Sequence, residues 1–109
     1  MDAPDNFADR LAQRIREDAR LIVLRLLADQ PHETLHSTHI LAELRRFGIR
    51  HDRDWLHDEL QYLAARDAIT ITPAGSVLVA TLTDKGERHL RRDIAINGVA
   101  RPSRRGDAL

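Results

Sequence analysis

The chain contains no cysteine among its 109 residues. Disulfide bridges, thiolate metal sites and cysteine nucleophiles are therefore excluded. It also lacks any apolar run close to the roughly 20 residues that a membrane-spanning helix needs. Its acidic start, MDAPDNFADR, does not resemble a secretory signal. We therefore expect a cytoplasmic protein.

Neither sign of charge is in excess, because 17 basic residues balance 17 acidic ones. This balance argues against strong nonspecific DNA binding, which depends on neutralising phosphates. The charge is unevenly distributed, however, since residues 84–109 hold seven Lys or Arg against four Asp or Glu. All but one of the basic residues are arginine, whose planar guanidinium suits phosphate binding. A GC-rich genome would produce the same arginine excess.

What is present is an ordinary globular composition, with 42% hydrophobic and 31% charged residues. The length suffices for one small domain with one core. The first strong pattern is a long amphipathic helix that Asn6 can cap and that Gln30-Pro31 ends. A shorter helix follows, with Ser37 or Thr38 as its cap and Gly48 as its stop.

A third helix is predicted over residues 52–66, with Asp52 or Asp54 as its cap. Its leucines, Leu56, Leu60 and Leu63, are spaced to form one buried stripe.

The hydrophobic period then changes from helical to alternating. Two β-rich runs, AITIT and SVLVATL, flank the turn PAG and predict a hairpin. A short extended piece near Thr34 and Leu35 would complete the sheet. A last helix follows, capped by Thr83, with Leu90 and Ile94 facing inward.

This order predicts an α+β, mainly α, winged helix-turn-helix fold: three helices, a two-stranded β-hairpin wing and a C-terminal helix. We expect the domain to cover residues 6–96. Residues 1–5 are expected to be a flexible N-terminus and residues 97–109 a flexible basic tail.

Four stretches, FADRLAQRIREDARLIVLRLLAD, WLHDELQYLAARDAITI, VLVATLTDKG and GVARPS, carry a family resemblance. With them the chain resembles winged-helix transcriptional regulators of the ArsR/MarR-like kind. More narrowly, it resembles short winged-helix proteins of Mu-like phages and prophages. The resemblance implies a winged-helix fold and a regulatory or phage-associated role, and it supplies no DNA target.

The third helix is the candidate for DNA binding. Arg53, His57 and Gln61, the Arg53 ridge, are spaced four residues apart on its outer side. Arginine can bind guanine and glutamine can bind adenine in the major groove. The alternative is a solvated face of mixed charge. Further candidate contacts lie just before the helix and in the tail: Arg50, His51, Arg101, Arg104 and Arg105.

A homodimer on double-stranded DNA is expected, as for other helix-turn-helix proteins. Leu21 and Leu24, in the apolar run LIVLRLL, are candidate dimer contacts. Trp55 and Tyr62 lie on one side of the third helix and are two more. The alternative for Trp55 is partial burial against another element.

Other kinds of site find little support. The predicted wing, residues 68–83, carries no Lys, Arg, Asp or Glu, so it has no basic side chain that could bind DNA phosphates. His36, His39 and Glu43 are spaced for one helix face, but we expect exposed histidines there and no metal or other cofactor. The chain has no phosphate loop or nucleophile motif, so we expect no enzyme.

Two functions therefore stay open after the sequence alone. The first is a phage- or prophage-encoded, sequence-specific DNA-binding transcriptional regulator. The second is a winged-helix protein–protein interaction module that binds a host or phage protein. The neutral net charge, the acids of the third helix and the uncharged wing favour the second.

Overall fold

The structure, a computed structural model, describes residues 6–103. Its elements in chain order are α1 Phe7–Ala28, a short 3-10 turn Pro31–Glu33, β1 Thr34–His36, α2 Ser37–Arg46, α3 Arg53–Ala65, β2 Ile69–Ala74, β3 Val77–Leu82 and α4 Asp84–Leu90. Within the described residues, none of these helices is both long enough and apolar enough to cross a membrane. The four helices match the predicted number.

Three of the predicted helix starts are confirmed by capping hydrogen bonds. The side chains of Asn6, Asp52 and Thr83 accept from the backbone N–H three residues further on. Each bond satisfies one of the N–H groups that a helix start leaves without an intrahelical partner.

The cap predicted at Ser37 or Thr38 was wrong. α2 begins after His36, without a side-chain cap. The buried Ser37 hydroxyl instead accepts from the backbone N–H of Leu78 at 3.0 Å. The side chain thereby ties the start of α2 to β3.

The sheet has three antiparallel strands in the order β1-β3-β2, so the two-stranded prediction is corrected. The additional strand is β1, which lies where a short extended piece near Thr34 and Leu35 was predicted. It pairs with β3, with Thr34 opposite Thr81. Their hydroxyls are 2.9 Å apart, and a direct pair of this kind strengthens the pairing. The β2–β3 hairpin is in register from Ile69–Leu82 to Ala74–Val77.

One hydrophobic core joins the helices to the sheet and includes the predicted leucine stripe of α3. Its fully buried large side chains include Leu21, Leu24, Leu27, Ile40, Leu44, Leu56, Leu60, Leu63 and Ile69.

The last helix is shorter than the sequence pattern predicts. α4 ends at Leu90, and Arg92 then takes the left-handed conformation with φ 65°. Ile94, expected within the helix, therefore lies beyond it, although it still packs against the core.

Residues 96–103, the C-terminal strap, pack against the domain, although 97–109 was predicted to be a flexible tail. Ile96, Val99 and Pro102 are buried. The backbone N–H of Ala100 donates to the carbonyl of Glu17 in α1 at 3.2 Å. Packed structure thus extends to residue 103, and residues 1–5 and 104–109 lie outside the described part of the chain.

Candidate nucleic-acid interface

The segment between α2 and α3 forms the turn of a helix-turn-helix. Gly48 has φ 81°, a conformation that glycine adopts without steric cost, and its N–H donates to Arg45 O. Ile49 then enters the core and Asp52 begins α3. These contacts fix the angle at which α3 leaves the domain surface.

Four arginines, the turn arginines, surround this segment with exposed side chains. Arg45 and Arg46 end α2, Arg50 lies in the turn and Arg53 opens α3. Arg46 forms an exposed ion pair of 3.7 Å with Glu43, which is worth about 1 kcal/mol at most. Arg45 and Arg46 are not among the contacts predicted from the sequence, although the run RRFGIR indicates a basic turn.

Two neighbouring ridges of α3 face away from its buried stripe. On the Arg53 ridge, Arg53 and Gln61 are exposed and His57 is half-buried. The His57 Nε2 is buried and has no hydrogen-bond partner among residues 6–103. The next ridge, the Asp54 ridge, consists of the exposed Asp54 and Asp58 and of Tyr62, which contacts Arg20 of α1. The exposed acids of α3 therefore follow a different line from its candidate base contacts.

His51 and Trp55 stack on one another, with ring centroids 4.1 Å apart and planes 7° from parallel. Trp55 is half-buried and packs against the core. The predicted DNA contact at His51 is therefore held in place by the tryptophan ring. The partial burial proposed for Trp55 is present.

Leu21 and Leu24 are completely buried in the core of the single chain. The prediction that they are dimer contacts was wrong, because these side chains could reach a partner only if the core opened. The apolar run that contains them closes the domain's own interior.

Tyr62 is also occupied within the chain. The guanidinium carbons of Arg20 and Arg66 lie 3.6 and 3.4 Å from the centre of its ring. Its hydroxyl donates to the carbonyl of Asn97 at 3.2 Å. Cation–π contacts of this kind cover much of the ring, but Tyr62 is only half-buried, so its role as a dimer contact stays a prediction.

A buried ion pair lies beneath this ring. Arg20 Nε is 2.7 Å from the Glu59 carboxylate, and Arg20 Nη1 donates to the carbonyl of Gly98 at 2.7 Å. The pair connects α1, α3 and the C-terminal strap. Sequence reasoning missed it, since the two residues are 39 positions apart.

His89, at the end of α4, holds the C-terminal strap from the other side. Its Nδ1 accepts from the backbone N–H of Ile96 at 3.0 Å, and its Nε2 lies 2.9 Å from the carbonyl of Ala100. Burial lowers the pKa of His89. The bond to Ala100 raises that pKa by a smaller amount and the nearby Arg101 charge lowers it.

The remaining predicted DNA contacts lie in the C-terminal tail, and the wing is a further candidate contact. Arg101 is exposed on the C-terminal strap, while Arg104 and Arg105 lie outside the described residues. The wing turn is formed by Gly75 and Ser76 and is exposed.

The histidines near α2 form a ring pair. The ring centroids of His36 and His39 are 4.0 Å apart. Across residues 6–103, no group of three or more His, Asp or Glu is arranged to hold a metal ion.

Helix, strand, helix, turn, helix and hairpin in this order, with the outer face of α3 open, define a winged helix-turn-helix domain. Two solved structures of the winged-helix regulator RosR share the fold. hsRosR-S1 matches with a TM-score of 0.58 at 17% identity, over 68% of this chain and 65% of that one. hsRosR-S4 matches with a TM-score of 0.58 at 18% identity, over 72% and 73%. The chain thus spans just under two thirds of hsRosR-S1, and these identities establish the fold alone.

No family model matches the chain. It is 32% identical over 89 residues to the uncharacterized protein gp26 of Escherichia phage Mu, covering 81% of this chain and 91% of that protein. The chain belongs to the family of this phage Mu protein. The resemblance to a Mu phage protein is thereby confirmed.

Proposed function

We propose that the chain is a sequence-specific DNA-binding transcriptional regulator, encoded by a phage or prophage and acting in the cytoplasm as a homodimer. The observation that carries this proposal is the open outer face of α3 beside the four turn arginines. The RosR-like fold and the relationship to a phage Mu protein support it. We also propose that the chain is related to ArsR/MarR-like regulators. The proposal includes no catalytic step, no metal and no other cofactor.

In this proposal α3 enters the major groove with Arg53 in its first turn and Gln61 in its third. Arg53 is suited to the O6 and N7 acceptors of guanine, and Gln61 to the N6 and N7 atoms of adenine. The other turn arginines contact phosphates and so fix position without specifying sequence. A homodimer places two α3 helices in successive major grooves, about 34 Å apart.

The experiment is selection of bound duplexes from a random DNA library at low salt, followed by affinity measurements on the enriched site. We expect Arg53→Ala and Gln61→Ala each to lose about 1–3 kcal/mol of binding and to relax specificity at one base pair. Arg50→Ala should weaken the binding of all duplexes equally, because a phosphate contact does not depend on sequence. Arg88→Ala, on the exposed side of α4, serves as the control. Absence of any enriched sequence would refute the proposal.

A second function, a protein–protein interaction module, is favoured by a different observation. Phe7, Leu11 and Phe47 are exposed to 71%, 46% and 52%, and such side chains commonly mark protein contacts. The uncharged wing favours it as well. This function would be preferred if no duplex were enriched and one host or phage protein bound the purified chain in a fixed ratio.

A further inference from the structure

A cleft of about 500 Å³ lies between α1 and the turn of the helix-turn-helix. This volume falls within the range of roughly 300–1,000 Å³ that is typical of small-molecule sites. Most of its lining is apolar, and only three of its side chains are polar. The apolar side chains are Ile15, Ile22, Phe47 and Ile49, the polar ones are Asp18, Arg50 and His51, and Gly48 contributes backbone alone.

The two charged residues of the cleft belong to different walls, since Asp18 is on α1 and Arg50 is in the turn. Among residues 6–103, neither side chain forms a hydrogen bond or an ion pair. Asp18 is nevertheless half-buried, and taking a carboxylate out of water without a hydrogen bond is unfavourable. Burial raises the pKa of Asp18, while Arg14, one turn earlier, lowers that pKa and Glu17 raises it.

Phe47 adds an aromatic surface to the cleft. It directly follows α2 and is 52% exposed, although it lines the same space as Ile15 and Ile22. Exposed apolar surface rimmed by polar groups is typical of binding sites. A ligand that satisfies every part of this lining carries an ammonium group, a carboxylate and an apolar side chain.

We propose that the cleft binds a free amino acid with an apolar side chain. The ammonium group of the ligand pairs with Asp18. Its carboxylate pairs with Arg50, whose planar guanidinium suits a bidentate contact. The side chain of the ligand packs against Ile15, Ile22 and Phe47. A ligand with only one of the two charges would leave the other charge of the cleft without a partner.

The same site would regulate DNA binding, and this step rests on the proposed function. The ligand carboxylate occupies Arg50, one of the turn arginines assigned to DNA phosphates. His51 also lines the cleft, and its ring stacks on Trp55 in the first turn of α3. A bound amino acid and bound DNA therefore lower each other's affinity.

Binding is tested without DNA, by isothermal titration calorimetry of the full chain with L-leucine, L-methionine and L-phenylalanine in turn. We expect at least one of them to bind in a one-to-one ratio. Asp18→Asn and Arg50→Ala should each weaken this binding by about tenfold or more, because each removes a charged hydrogen-bond partner. Asp29→Asn and Arg88→Ala, at exposed positions outside the cleft, are the matched controls.

Blocked forms of the ligand test the two charge pairs separately. The N-acetyl derivative lacks the ammonium group and the amide derivative lacks the carboxylate, so each should bind the wild-type chain about tenfold more weakly or worse. In Asp18→Asn, N-acetylation should cause little further loss, because the partner of the ammonium group is already absent. Trp55, the single tryptophan, reports binding through its emission, and circular dichroism checks that each variant is folded.

Absence of binding by all three amino acids overturns the proposal. So does equal binding of the free and blocked forms, or binding that survives both Asp18→Asn and Arg50→Ala. Regulation is tested on the duplex selected for the proposed function, whose Kd should rise when the amino acid is added. An unchanged Kd overturns the regulatory step alone, whereas failure to select any duplex counts against the DNA proposal and leaves the amino-acid site intact.

Discussion

Arg20 and Glu59 show how a single buried pair can organise a small domain. Only 5% and 6% of their side chains are exposed, and removing charges from water costs several kcal/mol per ion. That cost is offset by the contact between the two charges, the bond from Arg20 to Gly98 and the stacking of Arg20 on Tyr62. Removing one partner leaves the other charge buried and uncompensated.

We therefore expect Glu59→Ala to lower the free energy of unfolding by about 3–5 kcal/mol in urea titrations. Glu87→Ala is the control, because Glu87 forms an exposed ion pair of 3.3 Å with Arg91. Its loss should cost less than about 1 kcal/mol. Equal losses in the two variants would contradict the structural importance of the buried pair.

Gly98 marks the place where the C-terminal strap crosses Tyr62. Its φ is 83°, and an added Cβ would lie 1.8 Å from the Tyr62 hydroxyl oxygen. We expect Gly98→Ala to destabilise the protein by about 2–4 kcal/mol, from backbone strain and steric overlap. Gly48→Ala has a similar φ of 81° but no atom within 4 Å, and should cost only about 1 kcal/mol. Thermal unfolding measures both, and similar losses would exclude the steric contact.

At the scale of elements, the C-terminal strap completes the domain. Its burial depends on the neutral form of His89, because Nδ1 accepts a hydrogen bond from Ile96 and cannot do so once it is protonated. The lowered pKa of His89 means that the unfolded chain takes up this proton more readily than the folded one.

The contribution of His89 to stability should therefore be complete above the ordinary pKa of 6.5. It should be lost as the pH falls from 6.5 through the lowered pKa of the folded protein. Urea unfolding from about pH 8 to about pH 5 measures this decline. His89→Gln should flatten it, while His32→Gln, at an exposed position, should leave it unchanged. A decline that persists in His89→Gln would contradict the assignment.

At the scale of the whole molecule, the zero net charge restricts how DNA can be bound. In the proposed complex, the favourable contacts are confined to the turn arginines instead of being spread over the surface. With three or four phosphates neutralised per chain, and so six to eight per homodimer, a plot of log K for the dimer against log salt should have a slope of about −5 to −7. Fluorescence anisotropy with a labelled duplex measures the slope. A slope near zero would exclude phosphate binding by the turn arginines.

Much of the fold could be predicted from local signals. The caps at Asn6, Asp52 and Thr83 act on N–H groups within one turn, and the leucine stripe of α3 follows from helical spacing alone. The outward position of Arg53 and Gln61 follows from the same spacing. Such features depend on residues close together in the chain, so a single sequence contains them.

The sequence by itself thus determined the helices, the hairpin and the line of candidate DNA contacts. Only the tertiary structure decided the pairing of β1 with β3, the partnership of Arg20 with Glu59 and the packing of the C-terminal strap. It also showed that Leu21 and Leu24 lie inside. These outcomes depend on groups that are tens of residues apart in the chain and come into contact only when the core forms. Hydrophobic burial is non-directional, so a single sequence does not specify which of these groups become partners.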